Sequence, residues 1–166
     1  MFLKSPMPFL NKIYSQARAK EVANEWKAAG KTLVFTNGCF DILHPGHVHY
    51  LEAAKSMGDY LMVGLNSDAS VRLLGKGPRR PINTLSARAA VLAALESVDA
   101  VVAFDEETPL VLIELILPHV LCKGGDYTPD RIVGSKQVLE SGGRVEIIPF
   151  VKGFSTTALI QKLDLL

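Results

Sequence analysis

Five short, largely apolar runs recur along this chain, and each is separated from the next by a stretch with helical spacing. The runs are TLVFTN (32–37), YLMVGLN (60–66), AVVAF (100–104), VLCKG (120–124) and RVEIIPF (144–150); between them lie VHYLEAAKSMG (48–58), SARAAVLAALESV (86–98), PLVLIELIL (109–117) and GSKQVLESGG (134–143). Strands that are apolar throughout, without a polar alternation, are what a parallel sheet requires when helices cover both of its faces. The order predicts an α/β fold: a doubly wound, Rossmann-like parallel sheet of about five strands with helices on both faces.

A length of 166 residues fits one such domain. Residues 1–30 read as an N-terminal extension and helix: an extended lead-in to about residue 13, then SQARAKEVANEWKAA, which stops at Gly30, a residue suited to ending a helix. The domain itself is expected over 31–166. A formal net charge of +1 provides no long-range field for a polyanion, so nucleic-acid binding is excluded as the main task. Cys39 and Cys122 are too few for a disulfide-stapled secreted fold. The N-terminus lacks the apolar core and cleavage site of a signal peptide, and no run nears the roughly 18 apolar residues of a membrane span. A cytoplasmic protein without a membrane partner is the expectation.

Directly after the first run comes GCFDILHPGH, Gly38 to His47. In open α/β sheets the first strand-to-helix turn faces the ligand crevice, and a helix start near Gly46 or His47 would turn its unpaired N–H groups and positive dipole end toward it. His44 and His47 are three positions apart across a Pro-Gly turn, so both rings can share one pocket, whereas His49 should face elsewhere. An imidazole donates a hydrogen bond in either protonation state, and its charged form is favoured beside a phosphate. A zinc site built on His44, His47 and Asp41 would lack an obvious fourth ligand and the helical i, i+4 histidine spacing of metalloproteases. A phosphate pocket is the better expectation. Neither a Walker GxxxxGK[ST] nor a GxGxxG motif is present, which excludes a P-loop and a dinucleotide fingerprint.

Further segments open at the same sheet edge. CKGGDYTPD follows the VLCKG run with Lys123, Gly124 and Asp126; GLNSD offers Asn66 and Asp68, the latter equally suited to capping a helix; STT (Ser155, Thr156, Thr157) precedes a helical stretch and combines capping with anion contact. The loop GKGPRRPINT (75–84) carries Lys76, Arg79 and Arg80. Arg88 begins a helix, either as a surface charge or as a rigid guanidinium for a phosphate. His119 reads as an ordinary hydrogen-bonded residue, and both cysteines as small apolar fillers.

GCFDILHPGH resembles the HxGH signature of the nucleotidylyltransferase superfamily, with Gly38, Phe40 and Asp41 matching before it. From about Lys31 to Leu163 the chain is similar to the adenylyltransferases of ADP-heptose synthesis, which act on D-glycero-β-D-manno-heptose 1-phosphate. The resemblance implies transfer of AMP from ATP, with Mg²⁺ bound through the nucleotide phosphates. It implies a phosphate-contacting set of His44, His47, Lys76 and Arg88. Nucleotide contacts would come from Asn37, Gly38, Cys39, Phe40, Gly46, Lys123, Gly124, Asp126, Ser155, Thr156 and Thr157. Sugar-phosphate contacts would come from Asp41, Asn66, Asp68 and Arg80. Many relatives carry an isoleucine before the serine of this last segment and an arginine at its end; here it reads GFSTTALI, so Lys76, Arg79, Arg80 or Lys152 must supply that charge. The family often appears as one half of a bifunctional protein whose other half is a sugar kinase. The 166 residues contain no kinase half, so the resemblance implies a stand-alone form served by a separate heptose-phosphate kinase, and a homodimer.

Overall fold

Along the central strand, side chains alternate between two apolar layers: Leu33 and Phe35 enter one, Val34 the other, and all three are fully buried. A strand with both faces covered has no place for a polar alternation, which is why its sequence reads as one apolar run. The computed structural model describes residues 7–75, 77–125, 128, 131–149, 151 and 153–163. Lys76, Asp126 and Lys152 lie outside the described residues.

The strands are β1 (Ile13–Tyr14), β2 (Leu33–Gly38), β3 (Tyr60–Asn66), β4 (Ala100–Phe104), β5 (Val120–Gly124) and β6 (Arg144–Ile148). They form one six-stranded sheet in the order β1-β4-β3-β2-β5-β6, with every described pairing parallel. The helices are α1 (Gln16–Ala28), α2 (Pro45–Lys55), α3 (Asp68–Leu73), α4 (Leu85–Ala93), α5 (Leu110–Ile116), α6 (Ser135–Glu140) and α7 (Thr156–Leu163). One apolar layer packs Leu51 and Ala54 of α2 and Leu92 and Ala93 of α4 against Val34, Leu61, Val63 and Val101. The other packs Ala19 and Ala23 of α1 and Leu112, Ile113 and Ile116 of α5 against Leu33, Phe35, Met62 and Phe104. Truncating a ring such as Phe35 to alanine would cost about 3–5 kcal/mol. Opposite that ring, a Cβ on Gly64 would come within 2.6 Å of it, so β3 needs a glycine there.

The sheet has one strand more than the sequence pattern predicts. Pro8–Lys12 forms a 3-10 helix instead of an extended lead-in, and the two residues after it pair with Val101 and Val102 at the β4 edge. A strand of two residues is too short to show a period. Lys12 holds this segment down by donating from Nζ to the carbonyls of Val98 (2.8 Å) and Leu95 (3.1 Å). The predicted α1 is present, capped by Ser15, whose hydroxyl accepts from Arg18 N–H, and followed by Gly30 at φ 70°. The stretches predicted over 86–98 and 134–143 form shorter helices, α4 and α6. In the 109–117 run Leu112, Ile113 and Ile116 are core, while Val111 and Leu117 stay exposed.

The chain winds from β2 through β3 to β4 on one side, then returns to lay β5 and β6 on the other side of β2. The carboxyl ends of β2 and β5 therefore flank the point where strand order reverses, the favoured position for a ligand crevice.

Candidate active site

A cleft of about 770 Å³ opens at that point. β2 ends on Asn37 and Gly38, β5 on Lys123 and Gly124, and all four line it. Lys123 Nζ donates to Asn37 Oδ1 at 3.3 Å, so the two strand ends are joined across the floor. The volume lies within the range of small-molecule pockets, about 300–1,000 Å³.

The turn after β2 forms the next wall. Phe40 takes the left-handed backbone conformation at φ 43°, and the helix α2 then starts at Pro45, with His44 as its N-cap residue. No side chain caps α2, and Pro45 fits the first helical position because it lacks an N–H. His44 and His47 stack with ring centroids 3.8 Å apart and planes 20° from parallel. Phe40 tilts against His47 at 5.2 Å, and Phe154 lies nearly parallel to His44 at 6.2 Å. The Nδ1 atoms of both histidines are buried without a hydrogen-bond partner. Burial, and then the neighbouring His44, pushes His47 down to about 4; burial also lowers His44. Both shifts favour the neutral rings in the free chain, and the Nδ1 edge of His44 faces the start of α2 at Gly46. Among the described residues there is no group of three or more His, Cys, Asp or Glu side chains able to hold a metal ion.

A third wall comes from the segment before α7. Ser155 accepts from Ala158 N–H at 3.0 Å and caps the helix, while Thr156 donates from Oγ1 to the Ile42 carbonyl at 3.3 Å. Ser155, Thr156 and Thr157 all line the cleft.

Of the residues expected from the sequence, the structure brings Asn37, Gly38, Cys39, Phe40, Asp41, His44, Gly46, His47, Arg80, Lys123, Gly124, Ser155, Thr156 and Thr157 to this one cleft. Among the described residues, three expected contacts are not in its lining. Arg88 is 2% exposed and donates from Nε to the Asn83 carbonyl, from Nη1 to the carbonyls of Cys39 (2.7 Å) and Asn66 (2.8 Å), and from Nη2 to Asp68 Oδ1 (2.7 Å). Four donor contacts from a side chain with five N–H groups leave little to offer a phosphate. Asp68 is correspondingly Arg88's partner; the α3 cap is Ser67, whose hydroxyl accepts from Ser70 N–H. Asn66 turns inward and donates from Nδ2 to Ser70 Oγ at 2.9 Å.

Asp41 lines the cleft, but its carboxylate is committed. It accepts from Ile82 N–H and Asn83 N–H at 2.9 Å and is in ion-pair contact with Arg80. It anchors the 80–84 loop onto the turn after β2 and has little capacity left for a sugar hydroxyl. The loop expected over 75–84 is thereby tied to the site by an aspartate.

Tyr50, Val151, Gly153 and Phe154 also line the cleft and were not expected from the sequence. Tyr50 carried a usable signal, since it sits one helical turn beyond His47. Its hydroxyl shares a 2.6 Å hydrogen bond with Thr36, and burial raises its pKa. His49 is exposed, and His119 Nδ1 accepts from Leu33 N–H at 2.9 Å. Cys39 and Cys122 are buried thiols outside any disulfide, the second pushed up to about 12 by burial.

Compared with known proteins, residues 35–162 match the cytidylyltransferase-like family model, which is most of the chain. The chain belongs to the cytidylyltransferase-like family. It is 61% identical over 137 residues to the bifunctional protein HldE of Geotalea uraniireducens, a match covering 82% of this chain and 28% of that protein. It is 55% identical over 152 residues to the bifunctional protein HldE of Haemophilus ducreyi, covering 92% of this chain and 32% of that protein. The chain thus spans less than a third of the length of these relatives. Among solved structures, the lipopolysaccharide core biosynthesis protein of Thermoplasma volcanium superposes with a TM-score of 0.60 at 29% identity, covering 75% of this chain and 100% of that one. Pantoate-beta-alanine ligase of Francisella tularensis shares the fold at 14% identity and a TM-score of 0.57, covering 92% of this chain and 76% of that one. Among the described residues, no helix is long and apolar enough to cross a membrane.

Proposed function

We propose that this chain transfers AMP from ATP to D-glycero-β-D-manno-heptose 1-phosphate, giving ADP-heptose and pyrophosphate for lipopolysaccharide inner-core synthesis. The observation that carries the reading is the stacked His44–His47 pair with unpartnered Nδ1 atoms at the uncapped start of α2. High identity to the HldE proteins supports the choice of substrates.

In the proposed step an oxygen of the sugar phosphate attacks the α-phosphorus of ATP in line; the new O–P bond forms as the bond to the β-phosphate's bridging oxygen breaks, and pyrophosphate leaves with that electron pair. A phosphate nucleophile is already ionised at neutral pH, so no general base is needed, and the protein's work is positioning and charge neutralisation. His44 and His47 hydrogen-bond the polyphosphate, whose charge favours their protonation. The start of α2, together with Lys123, adds positive potential along the cleft, while the charge of Arg80 is offset by Asp41. Asp41 is the described carboxylate in the cleft lining, and it is already engaged, so Mg²⁺ enters with the nucleotide as part of the substrate. A heptose-phosphate kinase, separate or linked, installs the anomeric phosphate, and a phosphatase must remove the sugar's other phosphate before this step.

The test is pyrophosphate release by the purified chain with Mg²⁺ and each heptose 1-phosphate anomer, run against ATP, CTP, GTP and UTP. Turnover with ATP and the β-anomer is expected. Preference for CTP, or for glycerol 3-phosphate as acceptor, would replace the substrate assignment, and nucleotide binding without pyrophosphate would replace the enzymatic one.

A further inference from the structure

We propose that Phe154 is a positioning residue: its ring flanks His44 in a nearly parallel, offset arrangement, so that the imidazole pair is held in one aromatic column between Phe40 and Phe154. The consequence for turnover rests on the nucleotidyl-transfer reading above; the column itself does not.

Four rings follow one another along the cleft wall. Phe40 tilts against His47 at 5.2 Å, His47 stacks on His44 at 3.8 Å, and Phe154 stands beside His44 at 6.2 Å with its plane 19° from parallel. Offset ring pairs attract over about 4.5–7 Å. The column brings together residues far apart in sequence, because Phe40 and the histidines belong to the turn after β2 and Phe154 to the segment before α7. Two further observations fix that approach. A Cβ on Gly46 would stand 3.1 Å from the His44 ring and 3.1 Å from Phe154 Cβ, so glycine is what lets the two segments close. Thr156, two residues after Phe154, donates to the Ile42 carbonyl and ties α7 to the same turn.

Phe154 is 44% exposed and belongs to neither apolar layer. Its contacts are with the cleft, where it lines the same wall as both histidines. A shift of α7 would therefore move the phosphate-binding imidazoles.

The proposal is tested with Phe154→Ala and Phe154→Tyr in the whole chain. The ring resonances of His44 and His47 are titrated by NMR without nucleotide, and the KM for ATP and kcat are taken from pyrophosphate release. In Phe154→Ala both histidines are expected to titrate closer to the ordinary value of 6.5. The KM for ATP should rise about tenfold, equivalent to about 1.4 kcal/mol, with a smaller change in kcat and an unchanged melting temperature. Phe154→Tyr keeps the ring and should behave as the parent. Unaltered histidine titrations in Phe154→Ala overturn the proposal, as does a loss in Phe154→Tyr equal to that in Phe154→Ala. If the parent chain transfers no nucleotide, the proposed function fails while the titrations still decide the role of Phe154.

Discussion

Arg88 donates to Asp68 at 2.7 Å from a side chain with no solvent exposure, and the same guanidinium holds the carbonyls at the end of β3, in the turn after β2 and in the 80–84 loop. One planar cation thus joins three segments around the cleft. Removing it leaves buried acceptors unpaired and a carboxylate without its partner, which should cost about 3 kcal/mol or more. Arg88→Met is expected to lower the unfolding free energy from urea titration by that amount, and Arg88→Lys to fall nearly as far, because one ammonium cannot reach four acceptors in a fixed fork. An Arg88→Lys chain as stable as the parent but inactive would instead return this guanidinium to the phosphates.

The histidine pair carries the proposed chemistry. His47→Ala removes one preorganised donor from the polyphosphate and should raise the barrier by on the order of 3 kcal/mol, roughly a hundredfold in kcat. Stopped-flow or coupled pyrophosphate release measures it, and near-normal turnover would remove His47 from the reaction.

Acid should loosen the free chain through the same residue. His47 is held at about 4 in the fold against an ordinary 6.5, so the unfolded chain binds more protons between those values. The stability this contributes is whole above about pH 6.5 and is lost as pH falls toward 4. Thermal melts of the parent and of His47→Asn across that window should converge at low pH, relative to their separation at neutral pH. Parallel curves would show that the imidazole is already solvated.

Gly46→Ala separates stability from function. Alanine favours the helix start by up to about 1 kcal/mol over glycine, so α2 should not weaken. The added Cβ nevertheless pushes on the His44 ring and on Phe154, each 3.1 Å away. ATP affinity measured by calorimetry should fall about tenfold, equivalent to about 1.4 kcal/mol, while the melting temperature holds or rises.

Much of the site was legible because it is local. The GCFDILHPGH turn and the STT segment each place their residues by a strand end or a helix start, and those residues do meet in one cleft. Arg88, Asn66 and Asp68, expected at the crevice, bond to the protein instead, and the sequence does not show this for one physical reason. A charged or amide side chain near a crevice looks alike in sequence whether it faces the ligand or spends its hydrogen bonds on the protein, and only the positions of the acceptors distinguish the two. Asp41 shows the intermediate case, since it lies in the cleft with its oxygens engaged by Ile82 and Asn83.

The sequence by itself determined the parallel α/β architecture, because strands buried on both faces must be apolar throughout, and it determined the histidine turn, because three residues of spacing across Pro45–Gly46 bring both rings to one side. Tertiary structure alone decided the sixth strand, whose two residues carry no period. It alone set Phe154 beside His44 and closed Arg88 around three carbonyls and a carboxylate. Those contacts join segments dozens of residues apart, and their partners are selected by the return of the chain across β2, a choice that no local pattern of side chains encodes.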